Sequence, residues 1–161
     1  MDFIAKAANI LLKENGVIKI ADFGVSGKLN FMATGRDART TFVGTPSHIA
    51  PEVILGENYD CSADIWGLGI TCLEMATGTA PYSEYNPMKI LSDILNKPPP
   101  SLESCSLTPD QFKKYPKSFN SFLECCLVRV PSERSLSSNL LNHEFVTKFS
   151  RVLCISRSLK F

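Results

Sequence analysis

No run of apolar residues in this 161-residue chain reaches the length a membrane-spanning helix requires, and the N-terminus has neither the basic start nor the small-residue cleavage site of a secretory signal. The expected compartment is the cytoplasm. An excess of charge is also missing: 17 Lys and Arg stand against 16 Asp and Glu, a net charge of +1, with the basic residues scattered. Such a surface gives no electrostatic footprint for nucleic acid or an anionic membrane. The six cysteines (Cys61, Cys72, Cys105, Cys125, Cys126 and Cys154) form no Cys-x-x-Cys pair and sit among apolar helical patterns, which argues against a zinc or disulfide framework. They are expected to be reduced, mostly buried small hydrophobes. Two histidines occur, His48 and His143, neither with a partner at metal-ligand spacing, so both are expected to be structural or surface residues. Internal repeats and low-complexity segments are absent as well.

What is present suits one globular domain: 44% hydrophobic and 20% charged residues over a length that buries a substantial core. Two short β-like runs, "NILLK" and "VIKIADF", flank Glu14-Asn15-Gly16, and Asn-Gly between apolar runs is a strong hairpin signal. From Gly24 to Pro51 the chain turns polar and glycine-rich, which predicts a long surface loop.

The remainder reads as helical. "SADIWGLGITCLEMATG" is apolar on nearly all faces, with Ser62 as the expected N-cap and Gly78 as the stop, and predicts a helix buried in the core. "PMKILSDILNK" opens with Pro87 in the first turn and ends before Pro98-Pro99-Pro100. "SFNSFLECCLV" and "SLSSNLLNHEFV" predict two further amphipathic helices, the second capped by Ser135. Residues 150–161 read as a loose tail.

The chemistry lies in a constellation rather than in one motif. Lys6 and Asn9 precede Asp22-Phe23-Gly24, followed by Gly44-Thr45-Pro46, Ala50-Pro51-Glu52, Asp64-Ile65-Trp66 with Gly69, and Arg134. In this order and spacing the residues resemble the C-terminal lobe of a eukaryotic protein kinase, over most of the chain. "ADFGVS", "TTFVGTP", "TGTAPYSEYNPMKIL" and "KPPPSLES" resemble the STE20 group of serine/threonine kinases, most closely its Fray/SPAK/oxidative-stress-responsive branch. The implied fold is mainly α with a short β-hairpin, the C-terminal lobe only of a protein-kinase-like fold, with a partial kinase domain over 1–149 and the tail over 150–161.

The resemblance implies ATP and Mg2+ as cofactors, and protein substrates and an upstream activating kinase as partners. Magnesium is a hard ion that takes oxygen ligands and keeps several waters, so the Asp22 carboxylate and the Asn9 amide oxygen suffice with phosphate oxygens to hold it. Lys6 would neutralise charge on the γ-phosphate during transfer. Taken alone, Asp22 suits a turn after a strand and Asn9 a loop cap; the constellation favours the metal roles. Leu11 would form the apolar floor under adenine, although a strand leucine is equally at home in a core. Thr41 matches the activation-loop threonine, with Thr40 and Thr34 as competing acceptors; a phosphate there adds nearly two negative charges and three acceptor oxygens. Gly24, Thr45, Glu52, Asp64 and Arg134 have structural roles by resemblance: Glu52 and Arg134 as a buried ion pair, Asp64 as an anchor for the catalytic-loop backbone.

The departures are concentrated. In register from Asn9, the family's His-Arg-Asp triplet falls on Asp2-Phe3-Ile4, so an isoleucine stands where the catalytic carboxylate belongs and Phe3 where an arginine would clamp a phosphothreonine. No glycine-rich loop, strand lysine or helix glutamate of an upper lobe is recognisable. Ser47-His48-Ile49 replaces a bulky aromatic and a methionine, and Ser135 a usual proline. The expectation is a STE20-like kinase lobe, inactive on its own and able to self-associate through its exposed lobe interface. The alternative is a noncatalytic truncated pseudokinase serving as an interaction module. Because agreement stops sharply between Lys6 and Ile4, a longer transcript reading His-Arg-Asp into "AANILL" is expected from the same locus.

Overall fold

The computed structural model describes residues 9–14, 16–21, 46–105 and 108–149. Lys6, Asp22, Gly24, Thr41, Thr45, Cys154 and the tail over 150–161 lie outside the described residues.

The chain's two β-runs pair as expected. β1 (Ile10–Leu12) runs antiparallel to β2 (Ile18–Ile20), with Ile10 opposite Ile20 and Leu12 opposite Ile18. The closing loop depends on Gly16, whose φ of 81° lies in the left-handed region that glycine adopts without a Cβ clash. Its N–H donates to the Lys13 carbonyl at 2.8 Å, and the Lys13 N–H donates to Val17 at 2.9 Å. A three-residue loop with glycine at the left-handed position is a common hairpin solution. The hairpin is poorly covered: Leu11, Leu12, Val17, Ile18 and Ile20 are all about half exposed.

Beyond residue 46 the structure is helical: α1 (Pro51–Ile54), α2 (Ser62–Thr77), α3 (Pro87–Asn96), α4 (Pro109–Phe112), α5 (Lys117–Cys126), α6 (Ser137–Leu141) and α7 (Glu144–Phe149). α2 is the post around which the rest packs, burying Trp66, Ile70, Thr71, Cys72 and Leu73. Gly78 closes it at φ 85°, its N–H on the Glu74 carbonyl. α5 crosses α2 at Gly69, where a Cβ would stand 2.7 Å from Leu127 Cδ2 and 2.9 Å from Cys126 Cβ, so only glycine permits this approach. Phe119, Phe122 and Leu123 on α5 complete the core with Ile90 and Ile94 of α3 and Leu140 of α6.

Four local expectations are corrected. The N-cap of α2 is Cys61, not Ser62; the Ser62 N–H is instead taken by the Asp60 carboxylate at 2.8 Å. The stretch expected as one helix from Ser135 is two, α6 and α7, with Leu136 at the first N-cap. His143 marks the break, since its Nδ1 accepts the Phe145 N–H at 3.1 Å while Phe145 turns inward onto Phe119, ring centroids 4.9 Å apart. The end of the expected surface loop, Pro46–Ala50, is buried throughout, with a 3-10 turn at Pro46–His48. Cys61 is exposed, while Cys72 and Cys126 are buried and Cys105 and Cys125 half-buried; all five are free thiols. In contrast, residues 55–60 between α1 and α2 form a run in which every residue is exposed.

Candidate functional site

The hairpin register determines what Asn9 can reach. Asn9 is buried at the foot of β1, and its carbonyl accepts the Ala21 N–H at 2.8 Å, one step beyond the Ile10–Ile20 pair. Two residues separated by a whole hairpin are thereby side by side, and Ala21 is followed directly in sequence by Asp22. Leu11, on the next residue but one, faces Lys19 across the ladder and is 53% exposed, so it is not a core residue. Among the described residues no cluster of three or more His, Cys, Asp or Glu could hold a metal ion.

Further along, residues 46–52 are buried without a gap, and side-chain contacts anchor them. Ser47 Oγ donates to the Pro81 carbonyl at 2.6 Å. His48 Nε2 lies 3.3 Å from Glu74 Oε2 on α2. Glu52 receives Arg134 in a fork, Nη1 to Oε1 at 2.7 Å and Nη2 to Oε2 at 3.1 Å. The same guanidinium donates to the Ser62 and Val128 carbonyls and lies over the Trp66 ring, 5.4 Å to its centroid. A planar fork matched to a carboxylate, with two further donors on backbone carbonyls, is the geometry in which a buried charge pair is tolerated. Asp64 sits half-buried in the first turn of α2.

Two features have no signal in the sequence patterns. Arg129 caps the C-terminus of α3, donating to the Ile94, Leu95 and Lys97 carbonyls that the helix leaves unpaired. Beside it, a surface pocket of about 370 Å³ is lined by Tyr82, Tyr85, Lys97, Pro98, Ser101 and Cys105. Tyr82 adopts φ 63°, rare for a non-glycine residue. Burial pushes its phenol above the usual tyrosine range, with the Lys97 ammonium acting the other way. The departure at Ser47-His48 was visible in the sequence, but its partners Pro81 and Glu74 were not.

A two-stranded hairpin thus precedes a mainly helical lobe whose first segment is buried. A protein kinase domain profile matches residues 5–146, most of the chain, which therefore belongs to the protein kinase family. Germinal center kinase 3 of Caenorhabditis elegans is 49% identical over 149 residues, covering 89% of this chain and 25% of that protein. The serine/threonine-protein kinase fray2 of Dictyostelium discoideum is 49% identical over 140 residues, 87% of this chain and 13% of its own length. The serine/threonine-protein kinase hippo of Drosophila melanogaster is 48% identical over 141 residues, 88% of this chain and 20% of its own. These similarities place the chain in the STE20 group of serine/threonine kinases. It spans a quarter or less of the length of these three curated relatives. No helix among the described residues is long and apolar enough to cross a membrane.

Proposed function

We propose that the chain is the C-terminal lobe of a serine/threonine kinase of the Fray/SPAK/oxidative-stress-responsive branch, which moves the γ-phosphoryl group of ATP onto a protein hydroxyl. The observation that supports this reading is the hydrogen bond from the Ala21 N–H to the Asn9 carbonyl, which pairs Asn9 with the residue that precedes Asp22 in the sequence. An amide oxygen and a carboxylate are the hard donors that Mg2+ prefers, and Asn9 and Asp22 would be its protein ligands. Lys6 would stabilise the phosphoryl group in transfer and Leu11 would lie under the adenine. Thr41 would be the acceptor for an upstream kinase. Protein substrates would dock against the segment held by Glu52 and Arg134.

The transferred group leaves the β–γ bridging oxygen for the substrate hydroxyl, whose proton needs an acceptor. Ile4 offers none, and loss of a positioned base removes about 10²–10⁴ in rate. The chain by itself is therefore inactive in this reading. A chimera carrying residues 5–149 below the upper lobe of hippo, with His-Arg-Asp restored ahead of them, tests it. Phosphorylation of a serine/threonine substrate that disappears with Asp22→Asn or Asn9→Ala supports the assignment. A folded but inert chimera overturns it.

A noncatalytic interaction module is the second reading, favoured by the exposed apolar side chains of the hairpin. Exposed apolar patches of this kind mark interaction surfaces or promote self-association. Light scattering showing a stable monomer, with no dye bound to apolar surface, removes that support.

A further inference from the structure

We propose that the pocket between the chain leaving α2 and the chain leaving α3 binds a proline-rich peptide segment in the polyproline II conformation. The pocket holds about 370 Å³, within the size range of ligand sites, and is lined by Tyr82 and Tyr85 from the first stretch and by Pro98 and Pro99 from the second. The two tyrosines are held together. The Tyr85 N–H donates to the Tyr82 carbonyl at 2.9 Å, and the Lys97 ammonium lies 5.7 Å from the Tyr82 ring centroid and 6.0 Å from that of Tyr85, so both rings converge on one point. Tyr82 takes this place at φ 63°, a left-handed backbone that is strained for a tyrosine, and strain of this kind clusters at ligand clamps and functional sites.

The class of ligand follows from the groups left unused. The Thr77 hydroxyl is engaged by the Leu73 and Thr79 carbonyls, and Ser101 and Ser104 bond to each other. The Tyr82 and Tyr85 hydroxyls make no hydrogen bond among the described residues, and Lys97 uses one of its three N–H donors on Asp93. Burial, which holds the Tyr82 phenol above the usual range, keeps it a donor well past neutral pH. The cations beside the rings are already taken, Lys89 and Lys97 by Asp93 and Arg129 by three backbone carbonyls, and Glu84 lies in the lining, so the pocket is not an anion site. What it offers is aromatic faces and spare O–H and N–H donors. A proline-rich chain is the complement: proline has no N–H to leave unpaired, the polyproline helix makes no internal hydrogen bonds, so its carbonyls are open to donors, and it docks on aromatic-lined grooves with little entropy left to lose.

The pocket shares no residue with the hairpin, and the inference does not depend on the kinase reading. The test is fluorescence polarisation of a labelled polyproline peptide with the full chain and no nucleotide, using an unlabelled glycine–serine peptide and inorganic phosphate as competitors. Saturable binding is expected, unmoved by either competitor and weakened about tenfold or more by Tyr85→Ala, the loss typical of an aromatic anchor. Tyr82→Gly, which suits the left-handed backbone, should weaken it likewise. If Tyr82→Gly unfolds the chain, the half-exposed Tyr85 decides alone. Failure to bind overturns the proposal, as does displacement by phosphate or by the glycine–serine peptide. Binding that survives Tyr85→Ala also overturns it, since the peptide then lies elsewhere, on the exposed hairpin for instance.

Discussion

Arg134 and Glu52, 82 residues apart, meet in a buried two-pronged ion pair with side chains 0% and 1% exposed. The pair joins the segment at α1 to the 3-10 turn that follows α5, and through the Ser62 carbonyl to the start of α2. Removing one partner leaves the other charge buried without compensation. Arg134→Met or Glu52→Gln is expected to destabilise the chain by about 3–5 kcal/mol, measured by urea unfolding. A loss below about 1 kcal/mol contradicts the role given to the pair.

Gly69 is the second point of leverage. Alanine in a helix interior normally gains about 1 kcal/mol over glycine. Here the added methyl meets Leu127 and Cys126 at distances that force α5 away from α2. Gly69→Ala is expected to lower stability by about 1–3 kcal/mol, the usual penalty of overpacking. A raised thermal midpoint would show that the helices yield easily.

The thiols should separate by environment. Burial pushes Cys72 up to about 11 and Cys126 up to about 12, so neither supplies thiolate at pH 8, whereas Cys61 is exposed. Peptide mapping after brief alkylation of the native chain should find Cys61 modified, and Cys72 and Cys126 modified only after denaturation. Equal labelling of Cys72 and Cys61 would mean that the α2–α5 interface opens readily.

Asp93 gives a pH signature. Hydrogen bonds from Lys97 first and Lys89 second hold its carboxyl below the ordinary value of 3.8, and the same pairing holds Lys97 above 10.5. A carboxyl lowered by folding stabilises the chain above its unfolded pKa, and that contribution is lost as pH falls through the folded value. Asp93→Asn should therefore be less stable than the parent chain near neutrality, with the gap closing below about pH 4. Thermal midpoints from pH 3 to 8 test this, and a gap independent of pH contradicts it.

The elements legible in the sequence were those defined by local chemistry. Glycine at a left-handed position gave the hairpin and the end of α2, and prolines bounded α3. Helices α1 and α4 are four residues each, too short for a periodic signal, and exist because Pro51 and Pro109 start a turn that tertiary contacts complete. The division of α6 from α7 follows from Phe145 packing on α5, a contact that no local pattern encodes. For the site, the Asn9 register followed from the hairpin. The Glu52–Arg134 partnership was reachable only through family resemblance, and the contacts of Ser47, His48 and Arg129 join residues at least 26 apart with no pattern to link them.

The exposed run over 55–60 gives the chain a seam. Its backbone is tied at both ends, where the Gly56 and Glu57 N–H groups reach back to α1 and the Asp60 carbonyl accepts the Ala63 N–H, and no side chain in it is buried. A protease cutting there would divide the polypeptide without entering the core. The two pieces would still share the Glu52–Arg134 pair and the contacts of Ser47 and His48, each of which crosses the cut. The seam is thus the natural place to split this lobe into complementing fragments, or to thread in a reporter, since reassembly is written into bonds that do not need the chain to be continuous.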